Sequence, residues 1–117
     1  MGLDQNIYKQ DTKVYETRNS HWLHKRLLPL GAVRLNKNIN ELNTEYIPIT
    51  TKDIQGIIND AEEVINAKST NLLNSYFKYE TNYNTELECI IEEMNEFIKT
   101  FNKINNKEDN YYYWSWW

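Results

Sequence analysis

The sequence predicts an α+β domain: a small antiparallel sheet of three to four short strands, covered on one face by three helices. Three observations carry this. Apolar residues recur at helical spacing over residues 54–65 and again over 87–101. Short stretches near the start, residues 3–9 and 13–17, mix aromatic and β-branched residues as strands do. The last seven residues, Tyr111-Tyr112-Tyr113-Trp114-Ser115-Trp116-Trp117, hold six of the sixteen aromatic side chains, which favour a pleated, half-buried surface. No repeat, linker or break in composition divides the chain, so residues 1–117 are expected to form a single domain around one modest core.

Leu3, Ile7 and Tyr8 alternate loosely and mark a first strand; Val14 and Tyr15 mark a second. Asn19 or Ser20 is then the expected N-cap of a helix running through Leu28, with Pro29 and Gly31 as its stop. Its apolar stripe is Leu23, Leu27 and Leu28, with Trp22 alongside. Residues 31–44 are rich in Asn and predict an irregular, mobile loop. Tyr46, Ile47, Pro48 and Ile49 read as a short strand, placed at a sheet edge because proline cannot donate to a ladder. Thr50 or Thr51 caps the second helix, with Asp53 in its positively polarised first turn. Ile54, Ile57, Ile58, Ala61 and Ile65 form its stripe, and Gly56 within it costs about 1 kcal/mol relative to alanine.

Residues 67–82 read as a polar connection holding Tyr76, Phe77 and Tyr79. The third helix has an unbroken face of Leu87, Ile90, Ile91, Met94, Phe97, Ile98 and Phe101. Glu86, Glu88, Glu92, Glu93 and Glu96 fall largely outside it and are expected to be a solvated face. Residues 102–110 turn the chain into the aromatic strand. Alternation there sets Tyr112, Trp114 and Trp116 against Tyr111, Tyr113, Ser115 and Trp117. One face closes the core, which leaves the other for a partner, a ligand or a second subunit.

Charge narrows the partners. The net charge is −4, with +4 over residues 1–40 and −8 over residues 41–117. The two lobes could orient an anionic ligand or simply attract each other. No Lys/Arg cluster exceeds Lys25-Arg26, so duplex nucleic acid is not an expected partner. Cys89 is the sole cysteine, which excludes an intrachain disulfide and suggests a reducing compartment. Its place among apolar helix positions predicts a buried, inert thiol. The N-terminus has neither the charged nor the apolar part of a signal peptide, and no apolar run reaches bilayer length. The expectation is a cytosolic protein with no membrane partner.

Two constellations bear on function. In Arg18-Asn19-Ser20-His21-Trp22-Leu23-His24-Lys25-Arg26, His21 and His24 are neighbours one helical turn apart. Arg18 stands at the helix start, where backbone N–H groups favour anions. Together they could hold a phosphate or carboxylate, or supply part of a metal site. A metal would need a third ligand from Asp4, Asp11 or Glu16, none of which the spacing singles out. They could equally be solvated or capping residues of a surface helix. The aromatic tail with Tyr8, Tyr15 and Trp22, near Arg18 or Arg26, suits base stacking and cation–π contacts, but also a core or a homodimer or higher-oligomer interface. The chain has no glycine-rich phosphate loop, zinc spacing or nucleophile motif, so no catalytic residue, metal or cofactor is expected.

The opening Met1-Gly2-Leu3-Asp4 with Tyr8-Lys9, the segment Tyr15-Glu16-Thr17-Arg18-Asn19 with Leu23-His24, Glu45-Tyr46 with residues 51–58, and the close Tyr112-Tyr113-Trp114-Ser115-Trp116-Trp117 run in order along nearly the whole chain. This pattern resembles a family of small phage and prophage proteins that begin Met-Gly-Leu-Asp and end in a Tyr-Tyr-x-Ser-Trp-Trp-like strand. Thr17 stands where that family has tryptophan, and Ser75-Tyr76-Phe77-Lys78 where it has a glycine-flanked aromatic run. The resemblance implies a phage accessory protein and nominates Arg18, His24, Ser115 and Trp116 as a site. Together, residues and resemblance suggest a counter-defence binding protein acting stoichiometrically in the host cytoplasm. It would sequester a small anionic, nucleotide-like signal or dock onto a host defence protein. Its contacts would come from Arg18, His21, Trp22, His24, Arg26, Trp114, Ser115 and Trp116. The alternatives are a small hydrolase of a nucleotide or phosphoester, with His21 or His24 as general acid–base, and a structural protein that oligomerises through its tail.

Overall fold

Strand β1 (Asp4–Lys9) folds back on β2 (Thr12–Arg18) as an antiparallel hairpin, with Gln10 at the turn in the left-handed region (φ 55°). A register shift between Ile7 and Tyr8 makes Val14 an extra residue on β2, a bulge that bends the strand. The chain continues through α1 (His21–Leu35), a short 3-10 turn (Ile39–Glu41), β3 (Ile47–Ile49), α2 (Thr51–Ala67), α3 (Thr70–Phe77), α4 (Asn84–Phe101) and β4 (Tyr111–Trp116). The computed structural model describes residues 2–102 and 110–117. The expected turn over 103–109 lies outside the described residues.

The sheet is antiparallel in the order β2-β1-β4-β3. β4 pairs with β1 on one side, Asp4 opposite Trp116 and Tyr8 opposite Tyr112, and with β3 on the other. Pro48 thus sits on an edge strand, where its missing N–H faces away from the ladder. Ile7, Tyr15, Ile47, Ile49, Tyr111 and Tyr113 share one pleat face and enter the core with the helices. Opposite them stand Trp22, Leu23 and Leu27 from α1, Ile54, Ile57 and Ala61 from α2, Leu73 and Phe77 from α3, and Ile90, Met94 and Phe97 from α4. The fold is α+β, with the helices on one side of the sheet.

Among the described residues four α-helices form rather than three. Residues 67–82 hold α3, whose N-cap Ser69 accepts from the Leu72 N–H at 3.1 Å and whose Leu73 and Phe77 are fully buried. Eight residues gave too short a window for periodicity to stand out against the polar background. α1 also runs past Pro29 to Leu35, which takes it five residues into the stretch read as a loop. Pro29 is exposed, so its ring meets solvent, while Leu27, Leu28 and Gly31 stay buried on the opposite side. Burial of that face outweighs the lost hydrogen bond. The stop is Asn36, in the left-handed region, its N–H bonded to the Ala32 carbonyl.

α2 begins as expected. Thr50 accepts from the Asp53 N–H at 3.0 Å and Asp53 returns the bond to the Thr50 N–H at 2.8 Å. Burial alone would raise the Asp53 carboxyl, but hydrogen bonds from Arg34 and Thr50 hold it below its ordinary range. Val64, not Ile65, completes the fully buried stripe. Cys89 is exposed, contrary to the expected buried thiol, because it lies just off the Leu87–Ile90–Met94 line. Among the described residues no helix is long and apolar enough to cross a membrane.

Candidate functional site

Among the described residues no helix lies on the other face of the sheet. Alternation turns Asp4, Asn6 and Tyr8 of β1 outward with Tyr112, Trp114 and Trp116 of β4, while Gln5, Ile7, Tyr111, Tyr113 and Ser115 turn in. The register sets Tyr8 beside Tyr112, Asn6 beside Trp114 and Asp4 beside Trp116. Tyr46, just ahead of β3, adds its ring edge-on to Tyr8 at 5.8 Å between centroids. Trp116 remains 52% exposed and Tyr46 55%. Aromatic side chains this open are uncommon on a face that meets only water.

Three shallow depressions cross this surface. One of about 570 Å³ is lined by Asp4, Asn6, Glu16, Arg18 and Trp114, among others. A second, of about 390 Å³, lies among Tyr8, Gln10, Asp11, Tyr46 and Tyr112. The third, of about 190 Å³, joins Arg18 to Gly2, Trp116 and Trp117. Arg18 lies across Gly2, where a Cβ would come within 2.8 Å of its Nη2, and its Nε is 3.3 Å from Asp4 Oδ1. Gly2 is therefore the seat on which the guanidinium rests.

The start of α1 is built differently from an open anion cradle. Ser20 N–H donates to Gln5 Oε1 at 2.7 Å, and the His21, Leu23 and His24 N–H groups donate to Asn19 or Ser20 carbonyls. The Ser20 hydroxyl and the Trp22 indole N–H both donate to Glu93 Oε1, at 2.7 and 2.9 Å. The anion drawn to this helix N-terminus is the protein's own carboxylate. Glu93 was expected on a solvated face, and so was Glu86, which instead accepts from the Tyr79 hydroxyl and from Thr81 Oγ1.

His24 sits on the inner side of the sheet. Its Nδ1 is 2.9 Å from the Tyr113 hydroxyl, to which Gln5 Nε2 already donates at 2.8 Å. The hydroxyl and Nδ1 share one hydrogen bond, and the imidazole tautomer decides which of the two donates. Burial, then the neighbouring His21, pull the imidazole down to about 4, so it is neutral near pH 7. Trp117 meets its ring edge-on at 4.8 Å. Burial also raises the Tyr113 hydroxyl above its ordinary range, against the Gln5 hydrogen bond.

The eight residues singled out from sequence therefore divide. Arg18, Trp114 and Trp116 share the open face. His21 is exposed at the first turn of α1. His24 lies on the opposite face from Arg18, with Trp117 touching the surroundings of both. Trp22 is 1% exposed and packs edge-on to Phe77 and Phe97, so it offers no face to a ligand. Arg26 ties α1 to its neighbours, forming an ion pair with Asp60 Oδ2 at 2.8 Å and donating to the Tyr76 carbonyl at 3.0 Å. Ser115 faces the core, with its Oγ buried near the Tyr113 hydroxyl.

Asp11, Tyr46 and Tyr112 complete the open face but were not singled out. Tyr112 was recoverable from its alternation with Trp114; Tyr46 carried no local signal. Among the described residues no group of three metal-ligating side chains converges. A scan against protein-family models and searches of curated proteins and solved structures found no match to this chain.

Proposed function

We propose that this protein works by stoichiometric docking: its open aromatic sheet face seats on another protein. The observation that carries this reading is the helix-free face on which Tyr8, Tyr112, Trp114 and Trp116 stand together beside Arg18. Tyr, Trp and Arg are the residues that dominate binding energy at protein interfaces. Docking is favoured over capture of a small anion for three reasons. The N-terminus of α1 is occupied by Glu93, His24 is neutral, and Arg18 shares its depression with Asp4 and Glu16. The sequence resemblance to small phage proteins supports a host defence protein as the partner and the host cytoplasm as the place.

The test is co-purification from a phage-infected, defence-expressing host, read by native mass spectrometry. A protein partner held by the wild type and lost from Trp114→Ala, with thermal unfolding unchanged, is the expected result. Truncating a central interface tryptophan costs about 2 kcal/mol or more, at least a thirtyfold loss of affinity. Equal capture by Trp114→Ala, or a small anionic mass released intact in place of a protein, overturns the docking reading.

A further inference from the structure

The open face ends, at the β1–β2 turn, in the depression bounded by Tyr8, Tyr46 and Tyr112 with Asp11 and Gln10 at its rim. Resting on the docking reading above, we propose that this three-tyrosine pocket is a subsite for an organic cation, the guanidinium or ammonium side chain of the docked protein.

Three features point to positive charge. The face of a phenol ring is its negative pole, and three such rings border one space. Among the described residues no lysine or arginine lines it, and Lys13, opposite Tyr8 in the ladder, is paired with Glu16. The carboxylates elsewhere on the face are compensated, Asp4 by Arg18 and Glu16 by Lys13, whereas Asp11 has no ion-pair partner among the described residues. Asp11 is exposed on a two-residue turn, placed to meet an incoming charge before the rings do. The opening, about 390 Å³, takes a guanidinium and part of its methylene stem. A phosphate or carboxylate in the same place would face the Asp11 carboxylate with no cation among the described lining residues to offset it.

The experiment is a nuclear magnetic resonance titration of the labelled protein at constant ionic strength with four probes. These are N-acetyl-arginine amide, N-acetyl-lysine amide carrying a free ε-amine, N-acetyl-citrulline amide, and tetramethylammonium chloride. The arginine and lysine probes should shift signals of Tyr8, Asp11, Tyr46 and Tyr112, and the isosteric but neutral citrulline should not. Tyr46→Ala and Asp11→Asn should each weaken the arginine probe roughly two- to fivefold, while Tyr46→Phe keeps its affinity. Tyr46 is largely exposed, so the alanine variant should fold. Equal responses to arginine and citrulline, or shifts elsewhere on the surface, overturn the proposal. Shifts with tetramethylammonium but not with arginine amide overturn the assignment to a partner's side chain in favour of a free quaternary amine. If the cationic probes fail while Trp114→Ala still abolishes partner capture, the pocket assignment falls and the docking face stands.

Discussion

His24 shows how one side chain can be read correctly as special and wrongly as to why. Its spacing from His21 suggested convergence on an anion, but the imidazole is hydrogen-bonded to Tyr113 and uncharged near pH 7. Its folded value, about 4, lies below the ordinary 6.5, so the unfolded chain takes up the proton first as pH falls. The stability His24 contributes is intact above pH 6.5, drains away between 6.5 and about 4, and changes no further below that. His24→Asn, whose Oδ1 can accept from Tyr113 without titrating, should therefore lose less stability than the wild type between pH 7 and 5. Urea midpoints at the two pH values measure this, and parallel losses in both proteins would contradict it. Glu93 teaches the complementary lesson. Five glutamates on one amphipathic helix look alike in sequence, and it is the arrival of Ser20 and Trp22 that makes Glu93 an acceptor, as Tyr79 and Thr81 do for Glu86.

Elements whose identity rests on local chemistry were legible. The Thr50–Asp53 box, the Leu87–Phe101 stripe and the aromatic strand each formed where the residues predicted. What failed was punctuation that tertiary contact overrides. Pro29 and Gly31 read as a stop, yet at Gly31 the helix packs directly on Ile47 of β3: a Cβ there would fall 2.5 Å from Ile47 Cδ1 and 2.8 Å from Cγ1. Gly31→Ala should therefore cost about 1–3 kcal/mol by forcing the helix off the strand. Adding Ile47→Val, which deletes the nearest atom, should recover part of that loss. Chemical denaturation of the two single variants and the double variant reads the coupling, and strict additivity would rule out a steric contact. The same logic explains the open face. Alternation showed which residues of β4 would share a side, but not which side the helices would take. Tyr46 reaches that side from outside the strand, where no periodicity applies.

At the scale of the whole molecule, the sheet order places β4 between β1 and β3, so the segment 111–116 is interior rather than an appendage. It contributes Tyr111 and Tyr113 to the core and both ladders that join the β1–β2 hairpin to β3. A chain ending at Asn110 should accordingly show no cooperative thermal transition, and a synthetic peptide of residues 111–117 should restore it in trans. A sharp transition in the shortened chain alone would mean the helices hold the fold without the strand. The position of β4 also sets a timetable. Gln5 and Tyr113, hydrogen-bonded across the central ladder, are 108 residues apart. Closing that span costs roughly 3 kcal/mol more in chain entropy than closing a short hairpin. The β1–β2 hairpin can form early, but one edge of β1 then waits bare for a strand made a hundred residues later. During that wait a nascent chain's most dangerous neighbour is another copy at the same stage. The rate of late-strand docking, more than the stability of the finished domain, would then govern how much protein survives rapid synthesis.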